Sequence, residues 1–303
     1  MHNMTRFIPL DLGRMRVLQP GRLLWLRALV WLTFSIFAVA FMFGIASDFI
    51  GKFLPQDSAP LAFFARCSGP LVALVAYIIL VCLGEARYPV ELGLKAAAPQ
   101  LLLGVVLGTL MFATVMLILI ASGLYDFRYV GWMPAWKPAG AAIEAGIVEE
   151  LMVRGLMLRL IWRSFGPVAA FLVSAAAFGV GHLGNDNVSV FAVICIAVEA
   201  GVTLGAFYVL TGRLWVSIGA HIAWNFAQGY LFGAVVSGES LGPSLAVSQA
   251  KSGFAQWLTG GPFGPEASLP ALIVCSGVGA VTLLWAWKAG RFVDPAQAIP
   301  AQS

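Results

Sequence analysis

Charged residues are scarce in this 303-residue chain. Lys, Arg, Asp and Glu make up 11% of it, against about 25% in a soluble domain. Hydrophobic residues make up 60%. Together these values exclude an ordinary soluble globule and define a polytopic membrane protein. The net charge of +4 is small, and the basic residues sit at the ends of apolar runs instead of covering one face. That pattern excludes nucleic acid as a partner and reads as a membrane-topology signal. Cysteine is rare too. Cys67, Cys82, Cys195 and Cys275 are scattered in or beside apolar stretches with no CxxC pair, so they read as small core residues. Histidine occurs three times, and no HExxH is present, so the zincin helix is absent.

A cleavable signal is not expected. Its apolar region has about 7–15 residues, whereas the first apolar run here is long enough to span. The basic lead of Arg6, Arg14, Arg16, Arg22 and Arg27 reads as the cytoplasmic flank of that span.

A bilayer needs about 20 mostly apolar residues per helix. Eight spans are expected, at 23–45, 61–84, 100–123, 138–162, 167–183, 188–210, 213–236 and 269–288. The fold class is therefore all-α, a bundle of about eight transmembrane helices. Residues 1–22 form a basic cytoplasmic segment, 23–137 an N-terminal helical group, 237–268 an extramembrane loop, flexible or else interfacial or re-entrant, and 289–303 a disordered tail. With the N-terminus inside, the inner ends collect Arg87, Lys95, Arg159, Arg163, Arg213, Lys288 and Arg291 beside the five N-terminal arginines. The outer ends collect only Lys52, Arg66, Arg128, Lys137 and Lys251. The positive-inside rule then places both termini in the cytoplasm of an integral, multi-pass protein, in the inner membrane if the host is bacterial. Gly104/Gly108 and Gly201/Gly205 are GxxxG pairs that read as close helix packing.

Against this apolar background stand Glu149, Glu150 and Arg154 in the fourth span. A charge near the bilayer centre costs about 2.5–3.5 kcal/mol on insertion scales, and such residues mark functional sites by default. Glu150 and Arg154 are four apart and share a helix face. Glu149 is rotated about 100° away, so Arg154 can satisfy only one carboxylate, and Glu149 is left with a free task suited to general-base work. A buried ion-pair network is the competing reading. Phe178 and His182 share a face of the fifth span, and His221 and Asn225 a face of the seventh. Imidazole and amide on one stripe can grip an oxyanion, a water or a metal, or can bond one helix to another. Glu199 is a further buried acid, expected to bond a neighbouring helix, and Glu144 is expected near the cavity mouth. The run Gly179 to Gly184 fits GxGxxG but ends an apolar helix, so it is no dinucleotide fingerprint.

The ordered set Glu149-Glu150-x-x-x-Arg154, Phe178-x-x-x-His182 and His221-x-x-x-Asn225 resembles the three motifs of the CPBP intramembrane proteases. That family includes CAAX prenyl-protein endopeptidases and bacteriocin-processing or immunity proteins. The resemblance covers about 138–236, the expected catalytic core. It implies that Glu149 activates water, that His182 helps hold it, and that His221 and Asn225 stabilise the oxyanion. Glu150, Arg154 and Phe178 would support the site. The family is commonly labelled metalloprotease. His182, His221 and Glu149 or Glu150 could supply zinc ligands, and a metal-free glutamate mechanism is equally open. The implied partners are a peptide or lipidated-peptide substrate and the bilayer, and the resemblance favours a cavity open to the cytoplasm. A non-catalytic scaffold or immunity protein that keeps the protease fold is the alternative function; a proton-linked transporter finds no inverted repeat to support it.

Overall fold

A computed structural model describes residues 7–53 and 58–295. Arg6 and residues 296–303 of the tail lie outside this range. The long helices are α1 (Leu24–Phe53), α2 (Ala59–Glu85), α3 (Ala97–Ala121), α4 (Trp136–Glu150), α5 (Arg159–Gly181) and α10 (Leu269–Lys288). Shorter ones are α6 (Val190–Ile196), α7 (Gly205–Thr211), α8 (Trp215–Phe226) and α9 (Gln256–Thr259). Three π-helical stretches join them into longer rods: Leu151–Leu158 links α4 to α5, Ala197–Leu204 links α6 to α7, and Ala227–Leu231 extends α8. Among the described residues six rods are long and apolar enough to cross a membrane. The longest of them, Trp136–Gly181, is two passes and not one. Gly166 breaks it with φ 82° and ψ 176°, a conformation that favours glycine, and Pro167 follows. The proof is a contact. The Arg154 guanidinium lies 4.9 Å from the centre of the Phe178 ring, although 24 residues of straight helix would separate them by about 36 Å. With the shorter α8 rod counted as a pass, the expected bundle of about eight helices results.

Two of the glycine pairings are packing devices. A Cβ on Gly104 would fall 2.2 Å from the Val216 carbonyl oxygen, and one on Gly108 would fall 2.2 Å from that of Ala220. The α3 and α8 backbones therefore touch and run parallel. Elsewhere the helix ends are held by local chemistry. The Ser189 hydroxyl accepts from the Ala192 N–H at 3.1 Å, and the Ser268 hydroxyl from the Ala271 N–H at 3.3 Å.

Two regions depart from expectation. The 237–268 connection contains a strand, β2 (Ala246–Ala250), which pairs antiparallel with β1 (Tyr125–Tyr129) in the register Tyr125↔Ala250 to Tyr129↔Ala246. Pairing across more than a hundred residues satisfies the backbone of a segment too short to signal a strand by itself. The described part of the tail is also docked. Trp162 Nε1 donates to the Val293 carbonyl at 3.0 Å, Arg163 Nη1 to that of Pro295 at 2.9 Å, and Phe292 packs on Trp162. The N-terminal segment is tied to the same place, since Arg163 also donates to the carbonyls of Gly13 and Leu18, and Leu12 and Leu18 are buried.

This basic end of the bundle holds a buried ion network. Glu85 takes a two-pronged bond from Arg159, with both distances 2.7 Å. Arg87 donates to Glu85 at 2.8 Å and to both oxygens of Glu91 at 2.8 and 2.7 Å. Tyr77 bonds Glu91, and Trp31 Nε1 donates to Glu85 at 3.2 Å. The carboxylates around Arg87 hold its guanidinium well above its ordinary pKa, so it stays charged. Removing one partner of a buried pair leaves an uncompensated charge, at a cost of about 3–5 kcal/mol. Arg159→Ala is expected to destabilise the protein by an amount of that order, read as a large fall in thermal unfolding temperature in detergent. An unchanged transition would show that the network does not hold the bundle.

Candidate active site

Glu149 and Glu150 end α4, immediately before its π-helical stretch, and face different surroundings. The Glu150 side chain is 0% exposed, whereas that of Glu149 is 32% exposed. Glu150 Oε1 accepts from Arg154 Nη1 at 2.8 Å and lies 2.9 Å from His221 Nδ1. A carboxylate oxygen only accepts, so the network assigns the proton of that bond to Nδ1. The other ring nitrogen, Nε2, lies 3.8 Å from Glu149 Oε2. Arg154 is bound further by the Ala200 carbonyl, which anchors the adjoining rod. α4 and α8 come close because residue 146 is glycine: a Cβ there would lie 2.5 Å from Ile222 Cγ1.

Phe178 stands between the remaining groups. Its ring centre is 5.1 Å from that of His182 and 6.2 Å from that of His221. His182 is the residue at which α5 ends, and its Nδ1 is 2.8 Å from the Phe178 carbonyl oxygen. That acceptor assigns the proton to Nδ1 and leaves Nε2 with its lone pair. The single Phe178 ring near both imidazoles brings the end of α5 and α8 to the same site. Asn225 lies one turn beyond His221 on α8.

These groups line one cavity of ≈ 500 Å³, together with Met152, Trp224 and Leu204. Glu149, His182, His221 and Asn225 all reach it, and Phe178 forms part of its wall. Glu150 and Arg154 stand behind the wall. Glu144 lines the cavity as expected and is bridged to Arg66 by bonds of 3.2 and 3.1 Å. Asn185, Ser237 and Glu239 line it from the loops beyond α5 and α8. The mouth is therefore at the end of the bundle away from Arg87, Arg159 and Arg163.

Glu199 differs from its expected role: its Oε1 is buried without any hydrogen-bond partner. Sequence reasoning missed Glu266, which follows the Gly-rich turn before α10 and lines the same cavity. Nothing in its flanking residues marks it, because the fold of 237–268 alone brings it inward. The metal reading finds no ready ligand set: among the described residues no group of three or more His, Cys, Asp or Glu side chains is arranged to hold an ion. His221 Nδ1 is already committed to Glu150.

A membrane bundle of helices from three passes thus brings two imidazoles, an amide and Glu149, the one member of the Glu149–Glu150 pair that lines the cavity, to a single site. Residues 131–227 match the family model described as Type II CAAX prenyl endopeptidase Rce1-like. This bears out the CPBP resemblance, and the matched segment runs from the approach to α4 to just past Asn225. No curated protein and no solved structure gives a significant match.

Burial pushes the Glu266 carboxyl up to about 8 from an ordinary 4.5. Between those values the folded chain holds a proton that the unfolded chain has released, so stability is highest below 4.5 and falls as pH rises toward 8. Glu266→Gln is expected to flatten the decline of unfolding temperature between pH 5 and 8. An identical slope in both proteins would show that Glu266 titrates normally.

Proposed function

We propose that this protein is an intramembrane endopeptidase that hydrolyses a peptide bond with a water activated by Glu149. The observation that carries the reading is the chain Arg154–Glu150–His221 ending 3.8 Å from the one glutamate of the pair that reaches the cavity. Arg154 and Glu150 are committed to each other and to His221, so Glu149 is free to exchange a proton.

The water lies between Glu149 and His182. Glu149 accepts one of its protons as the oxygen attacks the scissile carbonyl carbon, and His182 Nε2 accepts the hydrogen bond of the other. Negative charge collects on the carbonyl oxygen. The Asn225 side-chain N–H donates to it, and so does His221 Nε2–H when the ring carries both protons. Glu149 then returns its proton to the leaving amine as the C–N bond breaks. Glu150 serves as a positioning residue that fixes the His221 ring through Nδ1. No step requires an ion, in keeping with the donor geometry. The apolar wall of Met111, Met152, Ile196 and Leu204 suits the apolar part of a peptide or a lipidated peptide, the substrate class named by the matched family.

The protein sits in the membrane with both termini cytoplasmic, because the basic ends of its helices face that side. The cavity mouth is at the opposite end. It therefore opens outward, opposite to the side the family resemblance favours.

Loss of a positioned acid–base group costs about 10²–10⁴-fold in rate. Glu149→Gln and His221→Ala are each expected to lower peptide cleavage by that much in purified protein that still inserts and unfolds cooperatively, while wild-type activity survives a zinc chelator. Full activity in Glu149→Gln would favour the non-catalytic scaffold reading. For orientation, cysteine introduced by Glu239→Cys in a chain otherwise free of cysteine is expected to react with a membrane-impermeant maleimide on intact cells. Cysteine from Lys95→Cys is expected to react only after the cells are opened, and the reverse pattern would invert the topology.

A further inference from the structure

The cavity wall away from Glu149 carries a second pair of acids. Glu199, in the Ala197–Leu204 stretch, is 7% exposed and Glu266 is 4% exposed. Their near neighbours in sequence, Ile196 and Ala200 on one side and Phe263 and Ala267 on the other, pack in a single cluster that also contains Phe178. The two carboxyls therefore belong to one wall, next to the aromatic that carries His182 and His221. Glu199 Oε1 and Glu266 Oε2 are both buried without a hydrogen-bond partner. Only Glu266 Oε1 is satisfied, by the Ser237 N–H at 2.5 Å and its hydroxyl at 3.2 Å. Acceptors left without donors in a low-dielectric wall are costly unless a ligand supplies the donors.

The rest of the lining shows which ligand. Five glutamates reach the cavity (Glu144, Glu149, Glu199, Glu239 and Glu266), and the one Lys or Arg side chain is Arg66, which Glu144 already binds with two bonds. A C-terminal carboxylate entering here meets no uncommitted cation. An ammonium or guanidinium meets two buried carboxyls, and its positive charge would take the place of the proton that burial keeps on Glu266. Cysteine neighbours supply nothing to compete: Cys195 and Cys275 are free thiols packed into the same region, and thiols are weak donors.

Building on the endopeptidase reading, we propose that Glu199 and Glu266 form a subsite for a Lys or Arg side chain of the substrate. The cavity thereby selects an internal basic segment of a polypeptide over a free C-terminus of the CAAX type. Entry from the outer face suits such a segment, since the mouth lies on that side.

The test uses the full-length protein in nanodiscs and internally quenched apolar peptides. Each carries Lys, norleucine or Glu at one scanned position and ends in a free or amidated C-terminus. A hydrogen bond to a charged group changes binding by about tenfold or more. At one position at least, the Lys peptide is expected to exceed its norleucine counterpart about tenfold in kcat/KM, with Glu below both. The Lys-to-norleucine ratio should fall to about one in Glu199→Gln and in Glu266→Gln. The first variant leaves the Ser237 contacts untouched, so it reads the subsite even if Glu266→Gln loosens the 237–268 segment. Equal cleavage of Lys and norleucine peptides at every position, a preference for free over amidated C-termini, or a ratio preserved in Glu199→Gln would overturn the subsite. The endopeptidase reading would then still stand, provided cleavage depends on Glu149. Absence of cleavage of any peptide by the wild type would instead sink the endopeptidase reading. In that event fluorescence anisotropy of the labelled peptides with Glu149→Gln protein decides the subsite: tighter binding of Lys than norleucine, lost on adding Glu199→Gln, supports it, and equal binding overturns it.

Discussion

One oxygen atom organises the centre of this protein. Glu150 Oε1 is shared by the Arg154 guanidinium and the His221 ring, at 2.8 and 2.9 Å. Each of the three groups would be expensive alone at this depth, and the triad makes them tolerable together. The same atom ties α4 to α8, and through Arg154 to the Ala200 carbonyl of a third rod. Because the imidazole is held through Nδ1, Nε2 must face Glu149. A buried bond inside the wall thus sets the direction of a group at its surface, and the shape of the cavity follows from the helices that this bond holds in register.

The polar residues fall into two systems with different physics. At the basic end, Glu85, Glu91, Arg87, Arg159 and Tyr77 satisfy one another, and Arg163 fastens both the N-terminal segment and the tail. That system is closed: its donors and acceptors are matched and it leaves little for a ligand. Nearer the other end, the cavity keeps groups unmatched. Glu149 is partly exposed, and the second acid wall holds acceptors without donors. Satisfied networks rigidify, and unsatisfied ones await something. The π-helical stretches follow Glu150, contain Glu199 and come just after Asn225. A widened turn at each point shifts the residues that follow and is common at functional sites.

Much of this was legible in the residues. The all-helical membrane class followed from composition, and the four-residue spacings of Glu150–Arg154, Phe178–His182 and His221–Asn225 placed each pair on one face. The last two pairs lie at one cavity, and the first packs behind its wall against His221. The ion network did not announce itself, because Arg87 and Arg159 read as flanking charges of separate spans, and long side chains near helix ends usually turn to water. The expected loop at 237–268 hid both a strand and Glu266, since a short strand whose partner is more than a hundred residues away leaves no local periodicity. Glu199 was expected to find a partner on another helix and instead faces an acidic wall.

Local chemistry therefore decided which segments enter the bilayer, where helices break, and which side chains share a helix face, because these depend on hydropathy and on 3.6-residue geometry alone. Glycine at 166 followed by proline is a break wherever the chain goes. Which faces meet was decided only by packing. Gly104, Gly108 and Gly146 let three backbones approach, and in that arrangement His221 lies beside Glu150. The split between Glu149 and Glu150 is local in origin, since about 100° of helix rotation separates their faces; packing alone decided that one face meets His221 and the other the cavity.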